Sequence, residues 1–117
     1  MNDFTSKQLT FIVYLPALPE RFAALETAVR QVLQAMSSEP DFLQCVLYRS
    51  QNDPHTLVVY ETWTCTREHF LEHHIHRPYR AAFEEALPSR LAAARRVEFL
   101  DEVDPPLHLS AGPRTLA

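Results

Sequence analysis

Apolar side chains alternate along "LTFIVYL", residues 9–15, with Leu9, Phe11, Val13 and Leu15 on one face and Ile12 and Tyr14 on the other. β-branched and aromatic side chains suit an extended chain, and Pro16 stops the run, so this segment predicts a strand that is apolar on both faces. From Pro19 the spacing lengthens: Phe22, Leu25, Val29, Val32, Leu33 and Met36 recur at threes and fours, an amphipathic helix that ends near "SSEP". Alternation returns in "FLQCVLYRS" (42–50) and "TLVVYETW" (56–63), joined by the polar "QNDPH", which supplies a turn without glycine. These two strands predict an antiparallel hairpin. Residues 66–87 predict helix in two pieces, because Arg77 precedes Pro78 and is biased away from helix, while Pro78 suits the first turn of a new one. "RVEFLDEV" (96–103) alternates as a last strand, and residues 104–117 form a tail.

The order strand, helix, strand, strand, helices, strand predicts an α+β domain over residues 1–103: a ferredoxin-like split βαβ fold with a four-stranded antiparallel sheet and helices on one face. Strands that are apolar on both faces leave the second face of that sheet needing cover. A second copy of the chain is the simplest cover, so the pattern predicts a homodimer formed through the open face. The tail's Leu107 and Leu109 leave two alternatives, a disordered end or a segment that crosses to the partner.

Composition narrows the function classes. A chain of 117 residues holds one domain, and its net charge of -4 repels phosphate backbones and anionic lipid surfaces, arguing against nucleic acid or membrane as partner. There is no apolar stretch of the roughly 20 residues that a membrane span requires and no secretory signal pattern, so the expected location is the cytoplasm. Cys45 and Cys65 lack the paired spacing of a zinc site and read as free thiols. The only glycine, Gly112, lies in the tail, which excludes the glycine-rich cradles of nucleotide and dinucleotide sites. No nucleophile elbow or activated thiol pattern is present either.

Candidate chemistry concentrates in "YETWTCTREHFLEHHIHRPY", which carries the sole tryptophan and four of the six histidines. On an ideal helix over 65–76, Phe70, Leu71, His74 and Ile75 share one side, while Cys65, His69, His73 and His76 share the other. His69 and His73, spaced i and i+4, are able to share a metal ion. With no third ligand apparent elsewhere, the expectation is a solvated histidine face and no metal. A lone buried histidine is usually a core residue bonded to backbone. However, Trp63 at the end of its strand and Tyr79 at the start of the next helix place an indole, an imidazole and a phenol where they are expected to line one apolar pocket. His74 is the inward candidate and His73 the reserve. Tyr14 either joins that pocket or belongs to the dimer surface.

"YETW" closing the third strand, followed by "FLEHHIHRPY", resembles the antibiotic biosynthesis monooxygenase family of dimeric α/β-barrel proteins over residues 8–103. The chain departs from that pattern at "EPDF", where Asp41 stands in place of the usual glycine, and in an interval from Trp63 to Pro78 that is longer by about two residues, leaving either His73 or His74 to match the motif. The resemblance implies oxidation of an electron-rich phenol, quinol or anthrone by molecular oxygen without metal, flavin or other cofactor. In that scheme His74, with His73 in reserve, accepts a proton and Trp63 positions the substrate ring. Tyr79 and Tyr14 bond its oxygens, while Phe70 and Phe83 complete the wall. The expected partners are a small aromatic substrate, oxygen and a second copy of the chain. Relatives of this fold also isomerise small carbonyl compounds or bind ligands without chemistry, and both alternatives stay open. Others degrade haem with an asparagine on the first strand, which "LTFIVYL" lacks.

Overall fold

A computed structural model of the chain describes residues 8–113. Four strands form one antiparallel sheet: β1 (Leu9–Pro16), β2 (Phe42–Arg49), β3 (Thr56–Trp63) and β4 (Arg96–Leu100), ordered β2-β3-β1-β4. With α1 (Phe22–Met36) after β1, and α2 (Arg67–Glu72) and α3 (Ala81–Ala86) between β3 and β4, this is the ferredoxin-like arrangement. The turn of β2 into β3 is held by Asp53, which accepts from the His55 backbone N–H at 3.1 Å and from Thr56 Oγ1 at 2.6 Å, so no glycine is required.

The 66–87 region divides into two helical pieces, as its sequence predicts, but each helix is only six residues long and short 3₁₀ turns at His74–His76 and Pro78–Arg80 lie between them. Thr66 caps the start of α2, its hydroxyl accepting from the His69 N–H at 3.0 Å. His73, at φ -119° and ψ -62°, leaves the helical register, and Arg77 is extended ahead of Pro78. The last strand also ends at Leu100 rather than 103. Leu100 pairs with Thr10 near the start of β1, beyond which the sheet has little left to pair with.

One face of the sheet carries the helices. Phe11, Leu15, Leu57, Val59 and Trp63 point into it and meet Leu25, Val29, Val32 and Met36 of α1, all buried. Each such side chain contributes on the order of 1.5–3 kcal/mol through the area it removes from water. The core forms two clusters, an aliphatic one around Leu25 and Leu57 and an aromatic one around Trp63 and Phe70. The opposite face is bare in the single chain: Val46, Tyr48 and Leu100 are 40%, 54% and 38% exposed, and Ile12, Tyr14, Val58 and Tyr60 are half-buried beside them. Within the described residues, no helix is long and apolar enough to cross a membrane.

Candidate active site

Trp63 and His74 are the two most enclosed polar rings, at 0% and 1% exposure, with centroids 4.6 Å apart. Phe42 and Phe70 close on the indole edge-on at 5.4 and 5.1 Å. The indole and imidazole therefore pack against each other instead of facing a common hollow, as the sequence had led us to expect. His73 is exposed, its ring stacked with that of His69 at 5.1 Å.

His74 is held by a segment that the sequence reading passed over. After α1 ends, residues 37–41 turn back across the 3₁₀ turn at 74–76, tied by the Thr64 N–H, which donates to the Asp41 carbonyl at 2.7 Å. The Asp41 side chain then meets His74 Nε2 at 2.8 Å, while Glu39 Oε1 stands 3.8 Å from Nδ1, which has no hydrogen-bond partner. Glu39 itself accepts from Arg77 Nε at 2.7 Å and from the Tyr79 hydroxyl at 3.0 Å. Burial works to raise the Glu39 carboxyl, but those two hydrogen bonds and the positive charge of Arg77 and His74 outweigh it and hold it below the usual carboxylate range. Burial, with the bond and charge of Glu39, pushes the Tyr79 phenol up to about 12. Tyr79 is thus committed to an internal bond rather than to a ligand.

The apolar cavity lies one residue pair further along β3, where the two core clusters meet. Its volume is about 280 Å³. Phe11, Val13, Val97 and Phe99 of the sheet form its floor; Val29, Val32 and Met36 of α1, with Phe70, Ile75 and Phe83, form its walls. Of the expected site residues only Phe70 and Phe83 line it, whereas Trp63, His74, Tyr79, His73 and Tyr14 do not. Tyr14 is on the other sheet face, with the Arg96 guanidinium 3.8 Å above its ring. Strand alternation sends Tyr14 away from Val13 and Leu15, so it does not join the pocket.

Two charged groups reach this cavity without being used up elsewhere. Glu61, opposite Phe11 on β1 and Cys45 on β2, is 6% exposed and accepts from the Trp63 indole N–H at 3.0 Å. Burial pushes its carboxyl up to about 7, against the lowering effects of that hydrogen bond and of the Arg80 charge. Arg80 also lines the cavity; among the described residues its buried Nε has no partner, and the guanidinium stands 3.7 Å from Glu84 and 3.9 Å from Met36 Sδ. The remaining arginines there are occupied, Arg95 by a two-pronged bond to Glu84 at 2.8 and 2.9 Å and Arg67 by the ring of Phe99 at 4.1 Å. A carboxyl that burial pushes up to about 7, in a largely apolar hollow that an N–H donor without a partner also lines, is equipped to take a proton from a bound molecule and to hold the oxygen that gains charge.

Sequence reasoning missed Glu61 and Arg80, although one signal was available: Glu61 alternates with Leu57, Val59 and Trp63 on the buried face of β3. Cys65 is no activated nucleophile, since burial and the nearby Asp41 charge push its thiol up to about 11.

Solved structures share the fold at low identity. PA3566 from Pseudomonas aeruginosa superposes with a TM-score of 0.74 at 24% identity, covering 86% of this chain and 99% of its own. A candidate antibiotic biosynthesis monooxygenase from Nitrosomonas europaea gives 0.75 at 20%, covering 90% and 99%, and Rv0793 from Mycobacterium tuberculosis gives 0.73 at 18%, covering 83% and 96%. No curated protein matches the sequence. The family pattern named "antibiotic biosynthesis monooxygenase" matches residues 9–86, which takes in β1 through α3 with Trp63, His74 and Glu61, and the chain belongs to that family.

Proposed function

We propose that this chain oxidises a small electron-rich phenol, quinol or anthrone with molecular oxygen, without a cofactor, in the cavity between the sheet and the helices. The observation that carries this reading is the buried Glu61 carboxyl, held by the Trp63 indole N–H at 3.0 Å and lining, with Arg80, a largely apolar cavity; burial pushes that carboxyl up to about 7. A volume of about 280 Å³ falls just below the roughly 300–1,000 Å³ usual for ligand pockets and suits a small substrate.

Glu61 takes the proton that the sequence reading had given to His74. Removing a proton from the substrate leaves an electron-rich anion, and Arg80 Nε supplies a hydrogen bond to its oxygen. The anion passes one electron to oxygen, and the radical pair combines to a carbon-bound peroxide. Collapse of that peroxide to a carbonyl releases water, so one oxygen atom enters the product and the substrate supplies all the electrons. Trp63 is then a positioning residue, its N–H orienting the Glu61 carboxylate, and His74 keeps the indole in place from behind. The dry apolar wall limits loss of the radical pair to solvent.

Two further parts of this reading concern assembly and location. The bare apolar sheet face supports a homodimer, with the exposed Val103, Leu107 and Leu109 of the tail adding to the contact. Two free thiols, one of them buried, suit the reducing cytoplasm. The functional test is enzyme-dependent oxygen uptake with a panel of quinols and anthrones. We expect uptake above autoxidation, reduced about 10²–10⁴-fold in Glu61→Gln. Uptake with no member of the panel, or full activity in Glu61→Gln, would end the assignment.

A further inference from the structure

The histidine-rich segment lies outside the cavity, and the tertiary structure gives it ligands from elsewhere in the chain. We propose that Asp41, Cys65 and His74 bind a divalent transition-metal ion with the preferences of Zn²⁺, with His69, beside Asp41, swinging in as the fourth ligand. Ligand atoms of Asp41, Cys65 and His74 lie within 4.8 Å of one another. Asp41 Oδ2 is 2.8 Å from His74 Nε2 and 3.3 Å from His69 Nε2. In a tetrahedral zinc site with bonds of about 2.0–2.3 Å, neighbouring ligand atoms stand roughly 3.3–3.7 Å apart, so Asp41, Cys65 and His74 lie near the required spacing, while His69 turns its partly exposed ring toward them to close the sphere.

The donor chemistry is selective. One thiolate, two imidazoles and one carboxylate suit a borderline-soft tetrahedral ion and not Mg²⁺ or Ca²⁺, which want oxygen ligands throughout. The four ligands come from three places: the segment before β2, the turn after β3, and the helical region that follows. An ion would therefore clip the aromatic core cluster to the loop that leaves α1. Cys65 and His74 are fixed by burial at 7% and 1% exposure, whereas the Asp41 and His69 side chains are 32% and 49% exposed and form the open side through which an ion enters. Glu39 supplies the outer support common in zinc sites. With Nε2 on the metal, the His74 proton sits on Nδ1, the buried nitrogen that lacks a partner and faces the Glu39 carboxylate 3.8 Å away.

His69, His73 and His74 also bring ligand atoms within 4.8 Å, and a two-histidine helix face binds metals adventitiously. The experiment separates the two sites. Untagged full-length protein is titrated with Co²⁺ as a spectroscopic probe and then with competing Zn²⁺, alongside Asp41→Asn, Cys65→Ala, His69→Ala, His73→Ala and His76→Ala. We expect one equivalent of Co²⁺ with intense tetrahedral d–d bands and a thiolate-to-metal charge-transfer band. Cys65→Ala abolishes the charge-transfer band, Asp41→Asn and His69→Ala weaken Zn²⁺ binding roughly tenfold or more, and His73→Ala and His76→Ala bind like the parent. If binding is lost in His73→Ala but unchanged in Asp41→Asn and Cys65→Ala, the ion is adventitious and the proposal is overturned. Absence of any binding overturns it equally. Should Cys65→Ala not fold, Asp41→Asn and His69→Ala, both at partly exposed positions, decide the matter. None of these readouts depends on oxygenase activity.

Discussion

Replacing Glu61 with glutamine separates stability from activity at one position. The carboxyl titrates at about 7 in the folded chain against 4.5 in its ordinary state, because burial penalises the charged form more than the Trp63 N–H and the Arg80 charge compensate it. Cys45, across the strand pair, is itself pushed up by burial and by the Glu61 charge, and stays neutral in this range. A carboxyl raised on folding binds its proton more tightly in the native state. Its stabilising contribution is therefore complete below pH 4.5 and disappears as pH rises through 7. The shift corresponds to an order of 3 kcal/mol at 1.36 kcal/mol per unit. Glutamine keeps the shape and can still accept the indole N–H, but it never ionises. Urea unfolding at pH 8.5 is expected to find Glu61→Gln more stable than the parent by up to about 3 kcal/mol, with the difference vanishing near pH 4. Measuring the difference between the two proteins cancels the pH dependence of the other carboxyls. The same substitution is expected to reduce oxygen uptake about 10²–10⁴-fold, so that the position gives up stability for function. If the two proteins unfold at the same urea concentration at both pH values, Glu61 carries no penalty and its assignment as a base near 7 fails.

The remaining predictions are more compact. In the parent, the base acts as the carboxylate, so kcat/KM should rise through an apparent pKa near 7 and level off above it, and Trp63→Phe, which removes the N–H donor, should move that midpoint upward by about one unit or more; an unmoved midpoint would detach the indole from the base. Arg77→Ala removes one of two donors from the buried Glu39, whose lowered pKa adds stability above pH 4.5 that is lost on acidification; a loss of about 1–2 kcal/mol at pH 7, shrinking toward pH 3, is expected in denaturant titrations, moderated by the partial exposure of Arg77. Leu25→Ala, at a fully buried position, should cost roughly 2–5 kcal/mol by thermal or chemical unfolding. Tyr48→Glu on the open sheet face should shift the mass measured by light scattering from dimer to monomer while leaving the circular dichroism of the fold intact; a parent that is already monomeric would refute the dimer.

What the sequence determined by itself was the succession of elements. A period of two or of three to four is a local property, so β1, α1, β2, β3 and the ferredoxin-like order were legible from where Leu9–Leu15, Phe22–Met36 and Leu57–Trp63 place their apolar side chains. Inwardness was legible too for Trp63, His74, Phe70 and Phe83. The break at Arg77 and Pro78 was legible, but the earlier one at His73 and the 3₁₀ turns that follow it were not, because they depend on how the chain bends over the sheet. Only the tertiary structure decided which inward groups share a space. Trp63 and His74 spend their surfaces on each other, and the cavity opens instead at Glu61 and Arg80, 19 positions apart in the chain. Asp41 reaches His74 across 33 positions, and Glu39 meets Tyr79 across 40. Such pairings leave no periodic trace in the sequence, because the free energy that selects them is the desolvation and hydrogen bonding of groups that become neighbours only after the chain has folded.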